Sequence, residues 1–181
     1  MTESQFKQLA AEGYNRIPLV LETFADLDTP LSVYLKFANQ PYTYLLESVV
    51  GGERFGRYSF IGIAAESRIE VRGHECVEFE GGKPKTRTRA DDPLRFVQQY
   101  QARFNAAEQP GLPRFCGGLV GYFGYDTVRY IEKKLGAGDK PDPLDVPDIL
   151  LLLSEQLAVV DNLSGKIYLV VYVDPNMAGA Y

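Results

Sequence analysis

Two neighbouring segments carry the residues best suited to recognition chemistry: Tyr44-Leu45-Leu46-Glu47-Ser48 and Gly56-Arg57-Tyr58-Ser59-Phe60-Ile61-Gly62. Each reads as a strand, and each sets polar groups where apolar ones are expected. One hairpin thus gathers a carboxylate (Glu47), two hydroxyls (Ser48, Ser59), a phenol (Tyr58) and a guanidinium (Arg57). Such a set can hold a small zwitterion. Alternation along a strand puts Tyr44, Leu46 and Ser48 on one face and Leu45, Glu47 and Val49 on the other. It likewise separates Arg57, Ser59 and Ile61 from Tyr58, Phe60 and Gly62. A buried Glu47 needs a compensating cation, because an unpaired buried charge is very costly. A ligand's α-ammonium can supply it, and so can Arg57 across the hairpin. Spacing leaves both open.

Other chemistries find less support. His74 is the only histidine, and it falls in a turn, Arg72-Gly73-His74-Glu75, where a catalytic triad has no footing. The glycines of Gly117-Gly118 and Gly121-x-x-Gly124 lack the strand-turn-helix context and the Lys-Ser/Thr ending of a phosphate loop. They suit bulges or close packing within a strand. Asp139, Asp142, Asp145 and Asp148 alternate with prolines and do not form a calcium-loop pattern. Cys76 and Cys116 match no metal or redox spacing. No cofactor or metal is expected in this chain.

The composition agrees. The chain has 181 residues, 45% hydrophobic and 24% charged, enough apolar material for a real core. Its net charge of -5 argues against nucleic acid or an anionic membrane as partner, since both need a clustered basic face. The first residues have neither a basic nor an apolar leader region. The longest apolar run, Ile149 to Leu153, is far short of the ~20 residues of a membrane helix. Free cysteines in this setting fit a reducing compartment, so a cytoplasmic location is expected.

The elements follow from periodicity and punctuation. A short helix is predicted over 2–12, capped by Thr2 or Ser4 and stopped by Gly13. Residues 17–24 read as a strand, at an edge because of Pro18. Thr29-Pro30 opens a helix with Leu31, Tyr34, Leu35 and Ala38 at helical spacing. Strands are predicted at 43–49, 57–64, 67–72 and 75–80, and Lys83 to Arg89 as a solvated basic loop. Asp91-Asp92-Pro93 opens another helix, with Leu94, Val97, Tyr100, Gln101 and Phe104 in register. Residues 117–126 read as a glycine-laced strand, 127–134 as a short helix and 136–147 as a loop. Ile149 to Val160 reads as one long central strand, returning through Asp161–Gly165 into a strand over 166–173. Asn176 to Tyr181 reads as the start of a helix, and the chain is therefore expected to be an N-terminal piece of something longer. The fold expected is α+β, with mostly antiparallel sheets and helices packed on them.

The same motifs carry a family likeness. The run Leu45-Leu46-Glu47-Ser48 resembles the tryptophan-feedback motif of the anthranilate synthase component I family. Residues 56–62 are similar to the segment that follows it there. Gly117 to Asp126 resembles the family's glycine-rich strand, and Pro147-Asp148-Ile149 through Asn162 its long sheet strand. The likeness runs nearly end to end, with four motifs in order. It implies a regulatory N-terminal domain over 1–175, with 176–181 beginning a connection to an absent chorismate-binding domain. The complete subunit would be a β/α/α/β sandwich in which this segment supplies half. It implies L-tryptophan as ligand, with Leu46, Glu47 and Ser48 foremost and Arg57, Tyr58 and Ser59 beside them. It also implies a parent enzyme that makes anthranilate and pyruvate from chorismate and ammonia, fed by a glutamine amidotransferase subunit. The catalytic residues, the Mg²⁺ ligands and the Asn-Pro-Ser-Pro-Tyr-Met segment of that family lie beyond this sequence, so the chain alone is expected to be inactive.

Two other readings fit in part. One is the equivalent domain of aminodeoxychorismate synthase component I; the run Tyr125 to Glu132 resembles anthranilate synthase more closely. The other is a non-enzymatic β-rich interaction module. Apolar surface meant for an absent domain would also support a homo-oligomer.

Overall fold

The computed structural model describes residues 1–47, 56–136 and 144–181. The chain is α+β and forms two compact units, each built on a five-stranded sheet. Ser48 and Val49, and the acidic positions Asp139 and Asp142, lie outside the described residues.

The first unit holds residues 1–65, 104–118 and 154–181. Its strands are β1 (Ile17–Phe24), β2 (Tyr44–Leu46), β3 (Tyr58–Gly62), β9 (Gln156–Asp161) and β10 (Lys166–Val173), in the order β1-β10-β9-β3-β2. Every pair is antiparallel. Pro18 sits on the edge strand, where a missing N–H is tolerated. Helix α1 (Glu3–Ala11) begins in a capping box of Thr2 and Gln5, and α2 (Pro30–Phe37) in one of Thr29 and Ser32. Val33 and Ala38, in and just beyond α2, are buried with Ile61, Ala158, Val160 and Ile167 on one sheet face. The other face buries Leu157, Val159 and Val170 beneath Tyr58, Phe60, Phe115, Tyr168 and Tyr172.

The second unit holds residues 66–103 and 119–153. The sheet it carries runs β6 (Lys83–Arg89), β5 (Glu75–Glu80), β4 (Ser67–Arg72), β8 (Ile149–Ser154) and β7 (Gly118–Phe123). Helix α3 (Pro93–Gln101), N-capped by Asp92, buries Phe96, Val97 and Tyr100. After β7 come a 3₁₀ turn (Tyr125–Thr127), the short helix α4 (Val128–Ile131) and a second 3₁₀ turn (Lys133–Leu135).

Three expectations are corrected. Lys83 to Arg89 is a strand, not a loop: it pairs antiparallel with β5 from Glu75↔Arg89 to Glu80↔Lys83. All seven residues are exposed because an edge strand needs pairing on one side only, and a Lys/Arg-rich edge discourages further strand addition. Residues 149–160 are two strands in two different sheets, broken at Glu155. Glu155 leaves the ladder to bond Arg16 through its carboxylate, while its carbonyl accepts the Tyr172 N–H at 2.7 Å. Asn176 to Tyr181 forms turns, not a helix, with Asp174 accepting from the Asn176 N–H at 2.9 Å.

Candidate functional site

The predicted hairpin exists with the register Tyr44↔Gly62, Leu45↔Ile61 and Leu46↔Phe60. Leu45 points with Ile61 into the α2-side core. Tyr44 takes the opposite face, its ring packed so closely over Gly62 that an added Cβ would lie 1.9 Å from it. Only glycine fits there. The Tyr44 hydroxyl is tied to the Ser154 hydroxyl at 2.6 Å, and burial pushes the phenol's pKa up.

Leu46 is 45% exposed, and Glu47, just past the strand end, is exposed as well. The expectation of a buried Glu47 is therefore corrected, and so is its pairing with Arg57. The register explains why: one step past Leu46↔Phe60 sets Glu47 level with Ser59, two residues short of Arg57. Arg57 instead donates to Asp161, from Nε at 3.0 Å and from Nη2 at 2.7 Å. Its guanidinium also lies over the Tyr58 ring, 4.9 Å from the centroid. Asp161 is buried and accepts the backbone N–H of Leu163 at 3.1 Å. Arg57 above all, with that backbone support, holds the Asp161 carboxyl down at about 2.

Ser59 is fully buried, its hydroxyl accepting from the Asn162 amide at 3.1 Å. Tyr58 and Phe60 are half-buried on the same face as Tyr44, with ring centroids 6.3 Å apart. Phe115 meets Phe60 edge-on at 5.0 Å. Cross-strand pairing extends this aromatic row from Phe60 over Val159 to Tyr168. The structure thus brings Leu46, Tyr58 and Arg57 to one partly open face and turns Ser59 into the core. Ser48 lies outside the described residues.

No protein-family model matches the chain. Curated relatives do. Anthranilate synthase component 1 of Pseudomonas putida is 55% identical over 175 residues, 97% of this chain and 36% of that protein. That of Neisseria meningitidis serogroup C is 54% identical over 184 residues, all of this chain and 37% of that protein. Over the matched residues the chain belongs to the anthranilate synthase component 1 family. It spans a little over a third of the length of the curated relatives it matches. Anthranilate synthase component I of Streptococcus pneumoniae, a solved structure, is 24% identical with a TM-score of 0.49, over 82% of this chain and 30% of that one.

Two features of this family member escaped the sequence reading. Asp161 reads only as part of a turn, Asp161-Asn162-Leu163-Ser164-Gly165, and nothing local marks it as the partner of a residue 104 positions earlier. Phe115 falls outside every predicted element, two residues before the glycine-laced strand. Among the described residues, no group of three or more His, Cys, Asp or Glu is placed to hold a metal ion. No helix among them is long and apolar enough to cross a membrane.

Proposed function

We propose that this chain is the regulatory part of an anthranilate synthase large subunit and carries part of an L-tryptophan feedback site. The observation that carries the reading is identity of 53–55% to several anthranilate synthase component 1 proteins over 97–100% of the chain. The hairpin end supports it, because Leu46, Glu47, Arg57 and Tyr58 keep accessible surface beside an aromatic row.

In this reading residues 1–175 are the regulatory domain and 176–181 lead toward a chorismate-binding domain. That domain would aminate chorismate and release pyruvate to leave anthranilate, with its own Mg²⁺ and with ammonia from a glutamine amidotransferase subunit. L-Tryptophan binds at Leu46, Glu47 and Ser48, its ammonium toward the Glu47 carboxylate. Ser59 acts behind this surface, through Asn162. Bound tryptophan favours an arrangement with a less competent chorismate site, and it shifts that balance only by its differential affinity for the two arrangements. Leu21, Phe24, Leu27, Leu31 and Leu35 are each more than half exposed, an apolar surface of the kind a further domain covers.

The test is Ser48→Phe in the complete enzyme. Turnover of chorismate is expected to persist while inhibition by L-tryptophan is lost. Inhibition at the wild-type concentration would remove Ser48 from the site.

A further inference from the structure

We propose that the outer edge of β1 pairs with the same edge of a second copy of this chain, antiparallel and with Leu21 on the two-fold axis. β1 lies at the opposite border of its sheet from β2, so the inference is independent of the feedback-site reading. The direction of its backbone groups is set at Arg16. The Arg16 N–H donates to the Asn105 carbonyl at 3.1 Å, and the Arg16 carbonyl accepts the Ala107 N–H at 2.8 Å, so both point away from β10. Alternation then turns the backbone groups of Ile17, Leu19, Leu21 and Thr23 toward β10 and those of Pro18, Val20, Glu22 and Phe24 outward. Residues 105–107 begin a parallel strand on this edge, but it stops at the single bridge Arg16↔Ala106. Pro18 has no N–H with which to continue it. From Pro18 to Phe24 the outward row meets no partner among the described residues.

Another long edge, β6, is guarded by Lys83, Lys85, Arg87 and Arg89. β1 has no such guard. Its one charge, Glu22, is already bound to Lys166 of the neighbouring strand. Leu21 is 63% exposed and Phe24 68%. Unpaired backbone groups and exposed apolar side chains along one edge are what strand addition uses. A second β1 matches it, because a two-fold pair satisfies both copies with one contact. Only registers that join outward residues complete the ladder. Centring on Glu22 sets two like charges opposite each other. Centring on Val20 drives the copy's Phe24 against Arg16, whose edge residues 105–107 already occupy. Centring on Leu21 joins Val20 to the copy's Glu22 and lets the Phe24 N–H donate to the copy's Pro18 carbonyl. The missing Pro18 N–H then falls at the end of the ladder, and the two Leu21 side chains meet across the axis.

The test is sedimentation of the purified chain from low micromolar to submillimolar concentration, with crosslinking as a positional readout. Wild type is expected to sediment as a dimer. Val20→Pro removes an outward N–H and no β1–β10 bond, and is expected to weaken the dimer about tenfold or more. Leu21→Lys sets two cations on the axis and leaves the backbone intact. It is expected to do the same, and serves if Val20→Pro folds poorly. Under mild oxidation Leu21→Cys is expected to form an intersubunit disulfide faster than Thr23→Cys. A non-hydrogen-bonded antiparallel pair sets its Cα atoms about 4.5 Å apart, within disulfide reach. A monomer at every concentration, the result if a strand of another protein or of a further domain takes this edge, overturns the proposal. So does a dimer that both variants leave unchanged, open-ended assembly, or equal crosslinking at positions 21 and 23.

Discussion

At the scale of single residues, charge placement here is decided by register. Glu47 and Arg57 look like partners in the sequence, but the hairpin sets them two residues out of step and Asp161 takes the guanidinium. Asp161 has a measurable consequence. Its folded-state pKa is about 2, below its ordinary 3.8, so the unfolded chain takes up the proton first as pH falls. Its contribution to stability is complete above about pH 4 and is lost between there and pH 2. Urea unfolding at pH 5 and pH 2.5 is expected to show a larger drop for wild type than for Asp161→Asn. Equal drops would mean that the pair is not the source. The steric case is Gly62: Gly62→Ala drives a methyl into the Tyr44 ring and breaks its bond to Ser154. We expect a loss of about 2 kcal/mol by denaturant titration, partly recovered in Gly62→Ala with Tyr44→Leu.

At the scale of elements, caps and glycines were legible, whereas sheet membership was not. Thr29 caps its helix as its position predicts, Thr2 is the cap of the two candidates Thr2 and Ser4, and Asp92 caps the helix that Asp91-Asp92-Pro93 opens, because a cap needs only neighbours within three residues. Thr29→Ala is expected to cost about 1 kcal/mol, with Thr29→Ser nearly neutral. The core of α3 was read less well: Phe96 is buried there in place of the expected Leu94. Of the two roles open to Gly121, bulge or close packing, the structure shows close packing, since an added Cβ would lie 1.9 Å from the Leu150 carbonyl oxygen. The break at Glu155 could not be read locally. Its one local mark is the polar triplet Ser154-Glu155-Gln156 between two apolar runs, and the change of sheet there is fixed by Arg16 and Tyr172, distant in sequence. The basic strand β6 was missed for a related reason: its pattern has no apolar face, and only pairing with β5 makes it a strand. Ile61 tests the α2-side core. It is fully buried among Val33, Ala38, Val160 and Ile167, so Ile61→Ala is expected to cost about 3 kcal/mol.

At the scale of the whole molecule, family and motif order were legible because they are properties of the sequence itself. The arrangement of the site was only half legible, because Arg57, Asp161 and the aromatic row meet through strands that are far apart in the chain. The central claim is that the hairpin end binds L-tryptophan. Saturation-transfer NMR on the purified chain tests it most directly, since the protein contributes no indole protons of its own. The account predicts transfer to the ligand's indole ring in wild type and its loss in both Glu47→Gln and Ser48→Phe. Transfer that persists undiminished in both folded variants, or its absence in wild type, would contradict it.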